Sequence, residues 1–111
     1  MIEKTVLDYL TDTLEVPAYM EMPEKPPNRF LVIEKTGSSE KNMIFDAMIA
    51  VKSYGKSLAD AAAVNERVKK AMRGLTSMPD VSRCSLNSDY NFTDTSTKRY
   101  RYQAVFDITH Y

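Results

Sequence analysis

The first fourteen residues place apolar side chains at spacings of three and four. Five of them share one stripe of a helix: Ile2, Val6, Leu7, Leu10 and Leu14. The spacing predicts an amphipathic helix over residues 2 to 14, which Pro17 cannot continue. A brief apolar-polar alternation from Ala18 to Met22, interrupted by prolines, predicts a short strand at the edge of a sheet.

Two longer apolar runs follow. Residues 29 to 35 carry four consecutive apolar side chains, and residues 42 to 54 place Phe45, Ala47, Ile49 and Val51 at alternate positions. Between them lies the polar segment Thr36-Gly37-Ser38-Ser39-Glu40-Lys41, whose composition is typical of a turn. The pattern predicts an antiparallel hairpin with a polar loop over residues 36 to 41.

A second helix is predicted from Ser57 to about Arg73. Ser57 and Asp60 have the S-x-x-D spacing of a capping signal, in which a hydroxyl accepts a hydrogen bond from an otherwise unpaired amide. Apolar positions recur at the helical period, and Gly74 suits the C′ position after the last turn.

The remaining chain predicts two more strands, at residues 81 to 89 and 98 to 110, separated by a polar stretch. In the last strand, Tyr100, Tyr102, Ala104, Phe106 and Ile108 alternate with mainly polar residues. The element order α-β-β-β-α-β-β predicts a single α+β domain over residues 1–111, in which two helices pack on a mainly antiparallel sheet of four to five strands.

Charge, cysteine content and the lengths of apolar runs limit which partners and which cellular compartment are expected. Fifteen Lys and Arg residues balance fifteen Asp and Glu residues, so nucleic acid is an unlikely main partner. The single cysteine, Cys84, cannot form an intrachain disulfide, which favours a reducing compartment. With neither a signal-peptide pattern nor a run of about 20 apolar residues, the chain is expected to stay inside the cell that makes it, with no membrane partner.

Candidate catalytic groups are few. His110 is the only histidine and lies near the end of a predicted strand, where a structural position is the simpler interpretation. A Cys84–His110 pair is conceivable, but no third orienting group can be named, and a buried free thiol is the default for Cys84. Paired metal-ligand spacings and phosphate-binding glycine motifs are absent. We expect no enzyme activity, cofactor or metal.

Aromatic and basic residues interleave from Lys98 to Tyr102. In a strand, Tyr100 and Tyr102 point away from Arg99 and Arg101, which favours a buried aromatic row and a charged row that faces solvent or a subunit. The alternative is a sheet that stacks RNA bases on Tyr90, Phe92, Tyr100 and Tyr102. Net neutrality argues against the alternative.

The third predicted strand is apolar on both faces. Ile44, Met48 and Ala50 lie opposite the row that contains Phe45, Ala47, Ile49 and Val51. The second apolar row either contacts a partner subunit or is covered by the N-terminal helix. The pattern leaves both readings open.

The amphipathic first helix, the strand Arg29-Phe30-Leu31-Val32-Ile33, the strand Phe45-Asp46-Ala47-Met48-Ile49-Ala50-Val51, the Ala-rich helix and the closing strand from Tyr100 to Ile108 together resemble a known group of proteins. Over nearly its full length, the chain resembles the tail terminator or tail-completion family of long-tailed phages and prophages. The resemblance rests on element order, size and the strand followed by S-x-A-D-A at residues 51 to 62.

The resemblance implies a structural role without a cofactor. Such proteins form rings, commonly of six subunits, that end the tail tube and join it to the head connector, in the host cytoplasm and then in the virion tail. The implied partners are other copies of the chain, the tail tube protein and the head connector protein, and the only nucleic acid is DNA passing through the ring.

A ring requires two different complementary patches on each subunit. Candidate subunit contacts are Ile44, Met48, Ala50, Arg99, Arg101 and Asp107, and candidate loop contacts to tail or neck are Thr36, Ser38, Ser39, Lys41, Asn91, Thr93, Asp94 and Thr95. The alternatives are a head-tail connector or neck adaptor and, from another class, a small ligand-binding or hydrolytic domain that uses Cys84, His110 and carboxylates.

Overall fold

Two helices lie on one side of a five-stranded sheet in the computed structural model, which describes residues 1–111. The elements are α1 (Ile2–Leu14), β1 (Ala18–Tyr19), β2 (Phe30–Lys41), β3 (Ile44–Gly55), α2 (Leu58–Met72), a 3-10 turn (Leu75–Ser77), β4 (Val81–Asn91) and β5 (Tyr100–His110). The predicted α+β class and element order are confirmed.

The strand order across the sheet is β1-β2-β3-β5-β4. β1 runs parallel to β2, and the other three neighbouring pairs are antiparallel, so the sheet is mixed. The short β1 lies at an edge, as its sequence predicted. The two hairpins, β2–β3 and β4–β5, meet at the β3–β5 pair in the middle of the sheet.

Both helices cover the same face of the sheet, here called the inner face. One cluster of 19 buried residues joins Val6 and Leu10 of α1 and Val68 of α2 to strand residues such as Ile49 and Phe106. The opposite, outer face carries no helix. Of the two alternatives for the second apolar row of β3, coverage by the N-terminal helix is therefore wrong, because α1 contributes its apolar stripe to the inner core.

The predicted bounds of α2 are confirmed, since the helix ends at Met72 with Arg73 as its C-cap, but the expected glycine cap does not form. The Ser57 hydroxyl accepts a hydrogen bond from the Asp60 backbone amide at 3.1 Å. Gly74 has a φ of −92° rather than the left-handed conformation of a C′ glycine, and a 3-10 turn follows it. A side chain at Gly74 would lie 2.7 Å from the Tyr9 hydroxyl oxygen, so close packing is what favours glycine there.

The predicted polar loop over residues 36 to 41 is part of a strand. β2 continues to Lys41, and the turn consists only of Asn42 and Met43, with φ values of 53° and 64°. Positive φ at both central residues is the backbone of the two-residue turns that match strand twist. Pairing with the long β3 outweighs the turn-forming composition of the polar segment, because its backbone groups find partners in the ladder.

Candidate protein interface

Aromatic rings and one guanidinium form a row across one end of the outer face. Phe30 stacks on Tyr54 with ring centroids 4.3 Å apart and planes 6° apart, and Tyr19 meets Phe30 edge-on at 6.1 Å. The Arg101 guanidinium lies 4.4 Å from the Phe92 ring centroid and donates a hydrogen bond to the Tyr54 hydroxyl at 3.1 Å. Arg101 therefore faces outward, as its alternation predicted, but its charge is engaged by its own chain.

The predicted subunit contacts fall at two ends of this face. Ile44 and Met48 are exposed, at 41% and 38%, whereas Ala50 has no exposed surface and offers none to a partner. Met48 pairs with the exposed Asp107 across β3 and β5, so these two predicted residues do come together. Arg101 pairs with Tyr54 at the far end of the same ladder.

Arg99, the remaining predicted subunit contact, lies just before the start of β5 at Tyr100. Its carbonyl accepts a hydrogen bond from the Asp94 amide at 3.2 Å, in an isolated bridge within the β4–β5 loop. Its side chain is exposed and lines a cleft with Lys98, Tyr100 and Pro27. The structure thus places Arg99 apart from Met48 and Asp107.

A polar groove of about 500 Å³ runs over the opposite end of the sheet. It is lined by residues of β2, β3, β4 and β5, among them Ser39, Asp46, Met48, Arg83, Asp107 and Thr109. The Thr109 hydroxyl donates to the Asp46 carboxylate at 2.7 Å, and the Asn87 side chain donates to Asp107 at 3.1 Å. The groove suits contact with a polar protein segment, since it presents hydrogen-bonding groups over a wide, open surface.

Three of the four predicted contact residues in and beside the β4–β5 loop form hydrogen bonds that order it. The Asn91 side-chain oxygen accepts from the Thr93 amide at 3.0 Å, and the Asp94 carboxylate accepts from the Ser96 amide at 3.0 Å. Hydrogen bonds from Ser96 and Thr97 lower the pKa of Asp94 to about 2. Thr95 is the exposed central residue of the second turn and makes no hydrogen bond of its own. The other predicted loop contacts, Thr36, Ser38, Ser39 and Lys41, lie in β2 instead.

The two candidate nucleophile and base residues both lie on the inner face. The His110 ring stacks on Phe45 with centroids 5.3 Å apart, and Cys84 pairs with Ile108 in the ladder. Burial raises the pKa of the Cys84 thiol to about 11, which keeps it protonated near neutral pH. This geometry provides no reason to assign a thiolate nucleophile.

The predicted alternative of a single base-stacking platform does not match the aromatic geometry. Tyr90 and Phe92 contact each other edge-on at 5.8 Å on the face of Arg101. Tyr100 and Tyr102 alternate with Arg101 and so belong to the inner face. The four rings are divided between two faces of the sheet.

Both lateral edges of the sheet are open. β1 pairs only with Leu31 and Val32, so β2 has no outer neighbour from Ile33 to Lys41. β4 is the last strand on the other side and has no outer neighbour along its length. Hydrophobic patterning predicted the edge position of β1 but not the open edges of β2 and β4, because strand order decides which strands lie outermost. Open edges present backbone donors and acceptors that can pair with another chain.

No protein-family profile and no curated protein matches the chain. Neither helix has the length and apolar character needed to cross a membrane. The described residues contain no group of three or more His, Cys, Asp or Glu side chains placed to hold a metal ion.

Proposed function

We propose that the chain is a structural subunit of a phage or prophage particle, which assembles as a ring, ends or completes the tail tube and joins it to the head connector. The observation that carries the proposal is the pair of open sheet edges on opposite sides of one subunit. A closed ring needs two different complementary surfaces on each copy, and two unlike edges meet that requirement. The resemblance in element order supplies the tail-terminator assignment.

The outer face supports contact with a further protein. Ile44 and Met48 expose apolar surface beside the polar groove that contains Asp46 and Asp107. Exposed apolar side chains within a polar surround are typical of a binding site for another protein. In the proposed ring, this patch would contact the tail tube protein or the head connector.

The first test is the assembly state. Light scattering over a concentration series, with negative-stain electron microscopy of any large species, should reveal a closed ring in solution or a monomer that becomes a ring on addition of tail tube protein. A protein that remains monomeric under both conditions would contradict the proposal.

The second test distinguishes the proposal from its alternatives. Deleting the gene from its phage or prophage should yield tail tubes of unregulated length, with regulation restored by a plasmid copy. Loss of a neck adaptor would instead yield tails of normal length without heads. Unchanged particles would favour a ligand-binding or hydrolytic domain.

A matched pair of variants tests the outer-face patch. Ile44→Ser combined with Met48→Ser should reduce restoration of tail length, because it removes the exposed apolar contact. Leu58→Ser is the control, since Leu58 is 40% exposed but lies at the start of α2 on the other side of the sheet. Equal activity of both variants would exclude the patch as a contact.

A further inference from the structure

The open part of β2 has a definite set of outward-facing backbone groups. The Leu31 amide donates to the Pro17 carbonyl at 2.8 Å, so the backbone of Leu31 faces away from β3. Backbone direction alternates along a strand, and the ladder skips Thr36, where β2 contains a bulge. Ile33, Lys35, Ser38 and Glu40 therefore direct their amides and carbonyls to the open edge.

Backbone groups of β4 also alternate between its neighbour β5 and the open edge. The Phe92 amide donates to the Arg101 carbonyl at 2.9 Å, so alternate residues of β5, beginning with Arg101, face β4. Their ladder partners are Arg83, Ser85, Ser88 and Tyr90, and the ladder skips Asn87 at a second bulge. The residues between these partners face outward, which gives the list Cys84, Leu86, Asp89 and Asn91.

The two irregular edges have matching spacing. Outward residues on β2 follow one another by three and then two positions, from Lys35 to Ser38 to Glu40. Outward residues on β4, read backwards, follow the same three and two, from Asp89 to Leu86 to Cys84. The bulges at Thr36 and Asn87 therefore offset each other when the edges run antiparallel.

The strand directions also match. β2 and β4 run in opposite directions within one sheet, because β3 and β5 lie between them and every step is antiparallel. A second copy in the same orientation would continue the sheet with another antiparallel pair. The β2 edge and the β4 edge match each other in spacing and direction, and both belong to this chain. The partner that fits each edge is therefore another copy of the chain.

We infer that the β2 edge of one copy pairs with the β4 edge of the next, with Lys35 opposite Asp89, Ser38 opposite Leu86 and Glu40 opposite Cys84. The inference deepens the proposed ring and rests on it, since it assigns the surfaces that join neighbouring subunits. All six side chains lie on the inner face. Lys35 and Asp89 carry opposite charges, but within one copy Lys35 lies 3.9 Å from Glu3 and Asp89 pairs with Lys69 at 2.9 Å, so the match between copies would extend ion pairs already formed. Bulged edges accept fewer wrong partners than flat ones, which restricts the pairing to one register.

Cysteine cross-linking tests the register. Cα atoms of a hydrogen-bonded antiparallel pair are about 5.5 Å apart, within the range that a disulfide spans. Glu40→Cys should therefore form disulfides with the native Cys84 of a neighbouring copy when copper phenanthroline is added as the oxidant, and denaturing gels should show a ladder of covalent oligomers. Ser39→Cys is the matched control, because its side chain lies on the outer face.

Two patterns of cross-linking would overturn the inference. One is equal cross-linking of Glu40→Cys and Ser39→Cys, and the other is a ladder that persists when Cys84→Ser is added to Glu40→Cys. Absence of any ladder from Glu40→Cys in preparations that contain rings, after an incubation long enough for iodoacetamide to label Cys84, would also overturn it, because the rings would then use other surfaces.

Proline variants test the head-to-tail arrangement. Ser38→Pro and Leu86→Pro each remove an outward amide that has no partner within the chain, so both should fold, as circular dichroism would verify. Each variant alone should be monomeric, and a mixture should give a one-to-one dimer through the remaining intact edges. Ser38→Ala and Leu86→Ala keep the amides and should assemble like the unmodified protein.

The outcomes separate the inference from the proposed function. Rings formed by folded Ser38→Pro would overturn the edge pairing while leaving the proposed function in place. An unmodified protein that is monomeric at all concentrations would overturn self-pairing of the edges, and the tail-length experiment would then decide the function independently.

Discussion

The Tyr9 hydroxyl on α1 donates a hydrogen bond to the Ala71 carbonyl in the last turn of α2, at 2.8 Å. Tyr9 is thereby a second donor to a carbonyl in the last turn of the helix that also accepts a hydrogen bond from the Gly74 amide at 2.9 Å. The same hydroxyl fills the space next to Gly74, where a Cβ atom would lie 2.7 Å away. The two helices therefore meet at a contact that the Tyr9 hydroxyl and Gly74 share.

Tyr9→Phe and Gly74→Ala should each lower the free energy of unfolding, and their effects should not add. Tyr9→Phe removes one hydrogen bond, which costs about 1 kcal/mol. Gly74→Ala displaces the same hydroxyl, so in the Tyr9→Phe background it should cost nothing or even stabilise by about 0.5 kcal/mol. Urea unfolding of the four proteins measures the coupling. Additive effects would contradict the shared contact.

Gly55 and Gly37 form a matched pair for substitution by alanine. A Cβ at Gly55 would lie 2.5 Å from the Ala61 amide nitrogen, and that backbone belongs to the first turn of α2. Gly55→Ala should therefore lower the free energy of unfolding by about 1 to 3 kcal/mol. Gly37 has no atom within 4 Å of the same position, so Gly37→Ala should change stability by less than about 1 kcal/mol. Thermal unfolding compares the two.

The helices and the core were predictable because their signals are local. The apolar stripe from Ile2 to Leu14 and the Ser57 cap depend on spacing within one element, and both agree with the structure. The long hairpin was not predictable from composition. Whether residues 36 to 41 form a loop or a strand depends on a two-residue turn at Asn42 and Met43, which are not glycines, and on pairing with a distant partner.

Asp60 should make the stability of the protein depend on pH in acid. Its carboxylate accepts hydrogen bonds from the Lys56 amide at 2.9 Å and from Arg29 at 2.8 Å, and these bonds lower its pKa. A lowered pKa in the folded state contributes stability above the unfolded pKa of about 3.9, which is lost as the pH falls through the folded pKa. The difference in melting temperature between the unmodified protein and Asp60→Asn should therefore be constant above about pH 5 and shrink below about pH 4.

Asp12→Asn is the control for Asp60. Asp12 is exposed on α1 and makes no side-chain hydrogen bond or ion pair within the chain. Its substitution should leave the dependence of the melting temperature on pH in acid unchanged. A parallel shift of the Asp60→Asn curve at every pH would show that the carboxylate charge makes no contribution.

Cys84 should react slowly with thiol reagents in the folded protein. Burial raises its pKa to about 11, whereas an unfolded cysteine has a pKa of about 8.5. The thiolate fraction at pH 8 should therefore be lower by roughly two orders of magnitude, and labelling by iodoacetamide should slow accordingly. Ser39→Cys in a Cys84→Ser background provides an exposed thiol for comparison. Similar rates for the two thiols would contradict the burial.

The candidate interface was predictable in part. Alternation along a strand correctly assigns Arg101 and Asp107 to one face, because it needs only the period of two. It could not reveal that Arg101 is held against Phe92 and Tyr54, or that Ala50 is enclosed, since these contacts depend on which strands are neighbours. The matching of β2 and β4 likewise depends on bulges, which leave no distinct mark in this sequence.

The β3–β5 junction, described above as the middle of the sheet, also sets the order of folding. The two strands of each hairpin are joined by a short connection. β3 and β5 are separated along the chain by α2 and β4, so their pairing closes a longer loop. Closing the longer loop costs more chain entropy and slows the pairing. In pulse-labelled hydrogen exchange, we expect amides of the Asn42–Met43 hairpin to become protected first and amides of the ladder between Val51 and Ala104 to become protected last. The most buried pair of strands would then be the last to form stable hydrogen bonds.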